Sequence, residues 1–308
     1  MHFQRTIKED IELEGRGLHT GADVKVRIIP AEPDSGVVFV RADNGREKIK
    51  LSPERVVSTQ NNSALGVNGN KILTVEHLLS AFYGLGIDNA LVEVYGPEVP
   101  ILDGSAKPFV REILNAGIEK LDAPRKFILV KKPVRAEEGD RYAELDPSPE
   151  FRVDFVISYE HPLLSYQHKE FRFDHQYFER EISPARTFGF LREVENLRKM
   201  GLAKGGGLEN VVVIGDDRVM NPEGLRFEDE PVRHKILDSL GDLMILGTHI
   251  IGAYHGYKAG HKLNHQVLLK LLSDPENYEL VQATDPHLVD KNGFQIPKWY
   301  NPDKPDSA

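Results

Sequence analysis

Two consecutive α+β units, each a sheet backed by helices, are the fold class that this 308-residue sequence predicts. Three observations predict it. The length suits two domains at roughly 150 residues each. Strand-like runs are grouped and not regularly interleaved with helices, which argues against a doubly wound parallel sheet. Each half also follows one order: strands, a helix carrying an early histidine, a strand, then a second helix.

The elements follow in chain order. Ile7 to Leu13, Val24 to Ile29 and Val37 to Val40 are β-like runs punctuated by Pro, Gly and Asp. A helix follows, with Thr74 as N-cap and Gly84 as stop. Asn89 to Val94 reads as a strand, and Ser105 to Asn115 as a helix ended by Gly117. Leu121-Asp122-Ala123-Pro124-Arg125-Lys126 is polar, contains proline and lacks periodicity, so it reads as a linker. Beyond it, Phe127 to Val130 and Phe151 to Ile157 are strand-like. Leu191 to Met200 reads as a helix closed by Gly201, Gly205-Gly206-Gly207 as a turn, and Val211 to Ile214 as a short buried strand. A long helix is expected from about Val232 to Leu246, a strand over Ile250 to Tyr254, and a last helix from about Gly260 to Leu272. The stretch after Asp285 is polar and Pro-rich and reads as a loose tail. The expected boundaries are therefore a first domain over 1–122, a second over 127–285, and a tail over 286–308.

Composition narrows the function classes. The net charge is −9, from 39 basic and 48 acidic residues, which weighs against a nucleic-acid partner. With no cysteine there is no disulfide and no thiolate, so any metal must be held by His, Asp or Glu. Met1-His2-Phe3-Gln4-Arg5 lacks the apolar core of a signal peptide, and no apolar run approaches the ~20 residues of a transmembrane segment. The expectation is a soluble, cytoplasmic monomer.

Two helical motifs carry chemistry. In Arg233-His234-Lys235-Ile236-Leu237-Asp238, an imidazole and a carboxylate stand four residues apart. With about 100° per residue, Asp238 lies about 40° from His234, Asp242 about 80° and Lys235 about 100°, while Ile236, Leu237, Leu240, Leu243 and Met244 fall on another arc. His234 and Asp238 are thus neighbours one turn apart, a spacing that lets both reach one ion. In Thr74-Val75-Glu76-His77-Leu78-Leu79, Glu76 and His77 lie on the side opposite Leu78, Leu79 and Phe82. If the two polar arcs face each other, His77 completes a two-histidine, one-aspartate site with a position left for water and with Glu76 as a spare acid. An isolated HxxxD is more often a surface pair, and a lone histidine more often structural. His261 and His265, four apart on the last helix, form a rival metal pair that spacing alone does not exclude.

The same residues resemble a known family. Gly17-Leu18-His19-Thr20-Gly21, Thr74-Val75-Glu76-His77-Leu78-Leu79-Ser80-Ala81, Ala185-Arg186-Thr187-Phe188-Gly189-Phe190, Leu225-Arg226-Phe227-Glu228-Asp229-Glu230, Arg233-His234-Lys235-Ile236-Leu237-Asp238 and Tyr257-Lys258-Ala259-Gly260-His261 are similar, in order, to signatures of the UDP-3-O-acyl-N-acetylglucosamine deacetylases. The resemblance implies a zinc amidase of lipid A biosynthesis that takes a UDP-linked acylated glucosamine and releases acetate. It implies two similar α+β domains whose helical layers face each other across the active site, with an insertion near 190–215 making a passage for the acyl chain. His77, His234 and Asp238 are then the zinc ligands, with Fe2+ as another candidate ion. Glu76 is the general base, His261 the general acid, Thr187 an oxyanion donor, and Asp242 the group behind His261. His265 becomes a dispensable helix residue. Lys235 would supply positive charge, His19 and Lys258 would contact the nucleotide or its phosphates, and Phe188, Phe190 and Leu191 would line the passage. Gly205-Gly206-Gly207 lacks a following helix-opening GK[ST], so it is a turn in the insertion and not a phosphate loop. His249 and His255 read as structural.

Two other readings use the same residues. Two histidines and a carboxylate also suit a non-haem Fe(II) oxygenase, although that chemistry has no evident need for Glu76 and His261. A nucleotide-sugar-lipid binding protein with structural zinc should carry four protein ligands, and three are found.

Overall fold

The computed structural model describes residues 2–285 and Trp299. Six α-helices lie among them: α1 (Glu76–Leu85), α2 (Lys107–Ala116), the single turn α3 (His175–Tyr177), α4 (Val194–Lys199), α5 (Glu230–Met244) and α6 (His261–Leu272).

The two halves build the same five-stranded sheet. The first orders its strands Ile11–Arg16, Asp23–Ile29, Ala90–Tyr95, Val37–Arg41 and Lys48–Lys50. The second orders Val134–Glu138, Arg141–Asp146, Ala253–Tyr257, Arg152–Ile157 and Gln167–Arg172. In both, the first two pairings are antiparallel, the third is parallel and the fourth antiparallel. The predicted α+β class is thus the observed one. Asp23–Ile29 and Arg152–Ile157 alternate buried and partly exposed residues, so each sheet has one face turned to the core.

The helical layers meet at α1 and α5. Leu78, Leu79 and Phe82 of α1 share one buried cluster with Ile236, Leu240 and Leu243 of α5 and with the inward residues of both sheets. All ten residues of α1 are buried, because its polar side is covered by α5 and not by water. The crossing is close enough to require glycine: a methyl group at Gly241 would collide with the Glu76 carbonyl oxygen.

Several local expectations are corrected. Thr74 does not cap α1; its hydroxyl goes to Glu98, and Val75 precedes the first helical residue. The helix passes Gly84 and stops at Leu85, where Gly86 adopts a left-handed conformation (φ 69°). The segment read as a linker is mostly paired backbone. Ile118–Pro124 runs antiparallel to Phe3–Ile7, and Lys126–Val130 is the centre of a three-stranded sheet with His249–Ile251 and Tyr278–Gln282. Arg125 between them is 1% exposed, bonded to Asp88 and to the Gly86 carbonyl, and stacked on Trp299 at 4.4 Å. The tail expected over 286–308 lies outside the described residues except for buried Trp299. In the 190–215 region, Phe188–Phe190 pairs in parallel with Val212–Ile214, and a 3-10 turn over Leu191–Glu193 leads into α4.

Candidate active site

Helix α5 holds His234 and Asp238 one turn apart, and α1 holds Glu76 and His77 at its first two positions. Their meeting brings Asp238 Oδ1 to 3.2 Å from His234 Nε2 and 3.6 Å from His77 Nε2. One ligating atom from each of the three residues lies within 4.8 Å of the others, and this is the only such group among the described residues. Two ligands about 2 Å from a tetrahedral ion are about 3.3 Å apart, so the observed spacings suit a shared cation. The donor set fits too. The Ala185 carbonyl can only accept, so His234 Nδ1 donates to it across 3.0 Å and Nε2 is left as the free lone pair. Burial lowers the His77 pKa, which favours the neutral, ligating imidazole. Burial alone would raise the Asp238 pKa, but His234 and the Lys235 ammonium, 2.8 Å from Oδ2, hold it well below the usual carboxylate range. Asp238 in turn holds Lys235 above its ordinary range against the effect of burial.

A second group sits beside this point. Glu76 is 3% exposed, and its Oε2 accepts the Ser63 backbone N–H at 3.0 Å. Burial pushes its pKa up to about 8, opposed chiefly by His261. A dication held at the three-ligand point would favour the anion and lower that value. His261 Nε2 lies 4.0 Å from both Glu76 Oε1 and Asp238 Oδ2. Its Nδ1 donates to Asp242 Oδ2 at 2.8 Å. Burial works against the imidazolium, yet Asp242 raises the His261 pKa to about 9. Asp242 also accepts from Asn264 Nδ2 at 2.8 Å and from the Ser63 hydroxyl at 2.5 Å, so both of its carboxylate oxygens are hydrogen-bonded.

A buried ion pair fixes the facing segment. Arg186 donates through Nε to Glu230 Oε1 at 2.9 Å, and its backbone N–H reaches the same oxygen at 2.9 Å. This ties residues 185–187 to the first turn of α5. The Ala185 carbonyl is thereby set against His234, and Thr187 is held through Gly104 and Val212 backbone bonds.

One cavity of about 870 Å3 opens over the whole arrangement. Among the residues singled out from the sequence, His19, Glu76, His77, Thr187, Phe188, Phe190, Leu191, Lys235, Asp238, Lys258 and His261 line it. His234 and Asp242 stand behind the lining. The Lys258 ammonium is paired with Asp140 at 2.5 Å. The His261/His265 alternative dissolves: His265 turns away and bonds the Pro53 carbonyl at 2.8 Å. His249 is buried against the Tyr83 carbonyl, and His255 lies between Asp146 and Asp154. Gly205-Gly206-Gly207 is a turn against Leu18 and His19, not a cradle for phosphate.

Sequence reasoning missed Ser63, Asn264, Glu98 and the Arg186–Glu230 pair. Asn264 follows His261 by three residues on α6, so a helical projection contains it. Ser63 has no such signal, being 179 residues from Asp242.

Three protein ligands leave a coordination position open, which marks catalytic and not structural metal sites. With a buried carboxyl group and a carboxylate-paired imidazole flanking that position, the class is a metal-dependent enzyme that moves protons. The model of the LpxC family, UDP-3-O-acyl N-acetylglycosamine deacetylase, matches residues 4–273. A Myxococcus xanthus protein named UDP-3-O-acyl-N-acetylglucosamine deacetylase is 48% identical over 281 residues, covering 91% of this chain and 90% of its own. Proteins of the same name from Sulfurimonas denitrificans (44% over 298 residues, 97% and 99% covered) and Acidithiobacillus ferrooxidans (48% over 285, 92% and 94%) are also similar. The chain belongs to the UDP-3-O-acyl N-acetylglycosamine deacetylase family. The oxygenase and binding-protein readings are not favoured.

Proposed function

We propose that this chain removes the N-acetyl group from UDP-3-O-acyl-N-acetylglucosamine and releases acetate, a step of lipid A biosynthesis, with Zn2+ as its metal and Fe2+ as the other candidate. The observation that carries this reading is the convergence of His77, His234 and Asp238 beside two proton-transfer groups, Glu76 and His261, themselves 4.0 Å apart. A bound zinc ion supplies Lewis acidity to a carbonyl oxygen and to a water. Glu76, oriented by the Ser63 N–H, takes the proton of the attacking water. Thr187 and the Lys235 ammonium stabilise the oxyanion of the tetrahedral intermediate; loss of one such donor typically costs about 10² to 10³ in rate. His261, kept charged by Asp242, gives its proton to the departing amine, which is otherwise too basic to leave.

The lining of the cavity supports the substrate assignment. Phe188, Phe190, Leu191, Leu197 and Leu208 among the lining residues offer apolar surface for the acyl chain near residues 190–215. His19 and Lys258, which also line the cavity, are assigned to the nucleotide, Lys258 exchanging Asp140 for a phosphate oxygen. We assign domains to 1–122 and 127–285, supported by the repeated sheet order, and a monomeric, cytoplasmic protein. No helix among the described residues is long and apolar enough to cross a membrane.

The test is incubation of purified protein with UDP-3-O-acyl-N-acetylglucosamine, with and without chelator, under anaerobic conditions, with assay of free acetate. Acetate release abolished by chelation and restored by zinc is expected. An intact acetamide after exposure to zinc-saturated protein refutes the reading.

A further inference from the structure

Glu98 is 0% exposed and stands on the segment after the strand Ala90–Tyr95. Its Oε1 accepts the His19 N–H at 2.9 Å and the Thr74 hydroxyl at 2.7 Å. Its Oε2 accepts the Thr20 N–H at 2.9 Å and the Thr20 hydroxyl at 2.8 Å. The chain wraps so closely that a methyl at Gly17 would overlap the carboxylate. One side chain thus joins two segments far apart in sequence: the loop bearing His19 and the turn that launches α1.

That turn is strained. Thr74 has φ 57°, a left-handed conformation that a β-branched residue rarely adopts. Such a conformation persists where surrounding bonds over-determine it. Backbone bonds hold the neighbours Leu73 and Val75, but of the bonds Thr74 itself makes the one to Glu98, at 2.7 Å, is the shorter, since its N–H reaches Asn62 Oδ1 only at 3.4 Å. Glu76 and His77 follow two and three residues later, so the direction of the turn fixes where both side chains enter the site.

We propose that Glu98 is a positioning residue: by holding Thr74 in its left-handed turn and His19 in its loop, it sets both the metal-ligand side and the substrate side of the site. The proposal rests on the functional reading above for what His77 and His19 do.

The decisive comparison is Thr74→Ala against Thr74→Gly. Alanine loses the anchor and keeps the strain, whereas glycine loses both. Zinc affinity, measured by competition with a chromophoric chelator, is expected to fall about 10-fold in Thr74→Ala and to be largely regained in Thr74→Gly. A glycine variant that binds zinc no better than the alanine variant overturns the proposal. In Glu98→Gln an amide N–H faces donors where an oxygen accepted them. That variant is expected to raise KM and weaken zinc binding; adding Thr74→Gly is expected to restore zinc binding and leave KM high. Loss of both properties without this split, in a folded double variant, also overturns it. Should Glu98→Gln not fold, the Thr74 pair decides alone. Wild-type protein that binds zinc yet releases no acetate refutes the functional reading instead, because the zinc-affinity comparison stands without activity.

Discussion

Replacing Asp242 with asparagine isolates the charge that supports His261. The rise of the His261 pKa from 6.5 to about 9 corresponds to about 3 kcal/mol favouring the imidazolium. Asp242 is the largest favourable contributor, and burial opposes it. Without that charge burial is opposed only by the weaker pull of Glu76 and Asp238, so the His261 pKa falls and fewer molecules carry the proton the amine needs near pH 7.5. With the loss of orientation added, kcat is expected to fall by about 10² or more at that pH. The basic limb of the pH–kcat profile should move to lower pH while the acid limb, assigned to Glu76, stays in place. In zinc-loaded wild type, the cation would disfavour the imidazolium and favour the Glu76 anion, so both groups should titrate at lower pH than in the metal-free protein. The assay is acetate release from pH 5.5 to 10 at saturating zinc, with NMR titration of the His261 ring in metal-free protein. Stability follows the same linkage. Because His261 is raised in the folded state, its contribution is complete below pH 6.5 and is lost as pH rises through about 9. The variant should therefore be most destabilised at mildly acid pH. A basic limb superimposable on that of the wild type would refute the reasoning.

Three further outcomes are expected. Glu76→Gln should lower kcat by about 10² to 10⁴ with zinc stoichiometry unchanged by metal analysis, since Glu76 is beside the ligand set and not in it. Gly241→Ala should cost about 1–3 kcal/mol in denaturant unfolding and weaken zinc binding, because the added methyl forces α5 away from the Glu76 carbonyl. His265→Ala should keep wild-type kcat and lose about 1 kcal/mol of stability with its bond to Pro53, a result that separates it from His261 in steady-state assays.

What the sequence made legible is what local periodicity encodes. His234 and Asp238 were found because four residues on a helix are one turn in space, whatever surrounds them. The central strands were found because Val24 to Ile29 and Phe151 to Ile157 carry their own alternation. Val134–Glu138 and Gln167–Arg172 were missed because their exposed positions are charged and only one or two residues in each are buried. The errors at Thr74 and at 121–126 share one cause. A threonine before a helix reads as a cap, and a polar stretch with proline reads as a connector, as long as no distant partner competes. In this fold Glu98 takes the Thr74 hydroxyl, and Asp88 and Trp299 take Arg125, from 24, 37 and 174 residues away. Thr74 and Arg125 are both buried, where leaving a polar group unpaired costs more than any local preference returns. The site extends the same logic. Its ligands lie on two short helical motifs, but the groups that hold the active geometry exist as pairs only in the folded chain: Arg186 on Glu230 once residues 185–187 meet the start of α5, and Ser63 on Asp242 once α1 and α5 have crossed at Gly241. A substitution that disturbs that crossing therefore reaches the metal ligands, Glu76 and His261 together, although none of those residues has been changed.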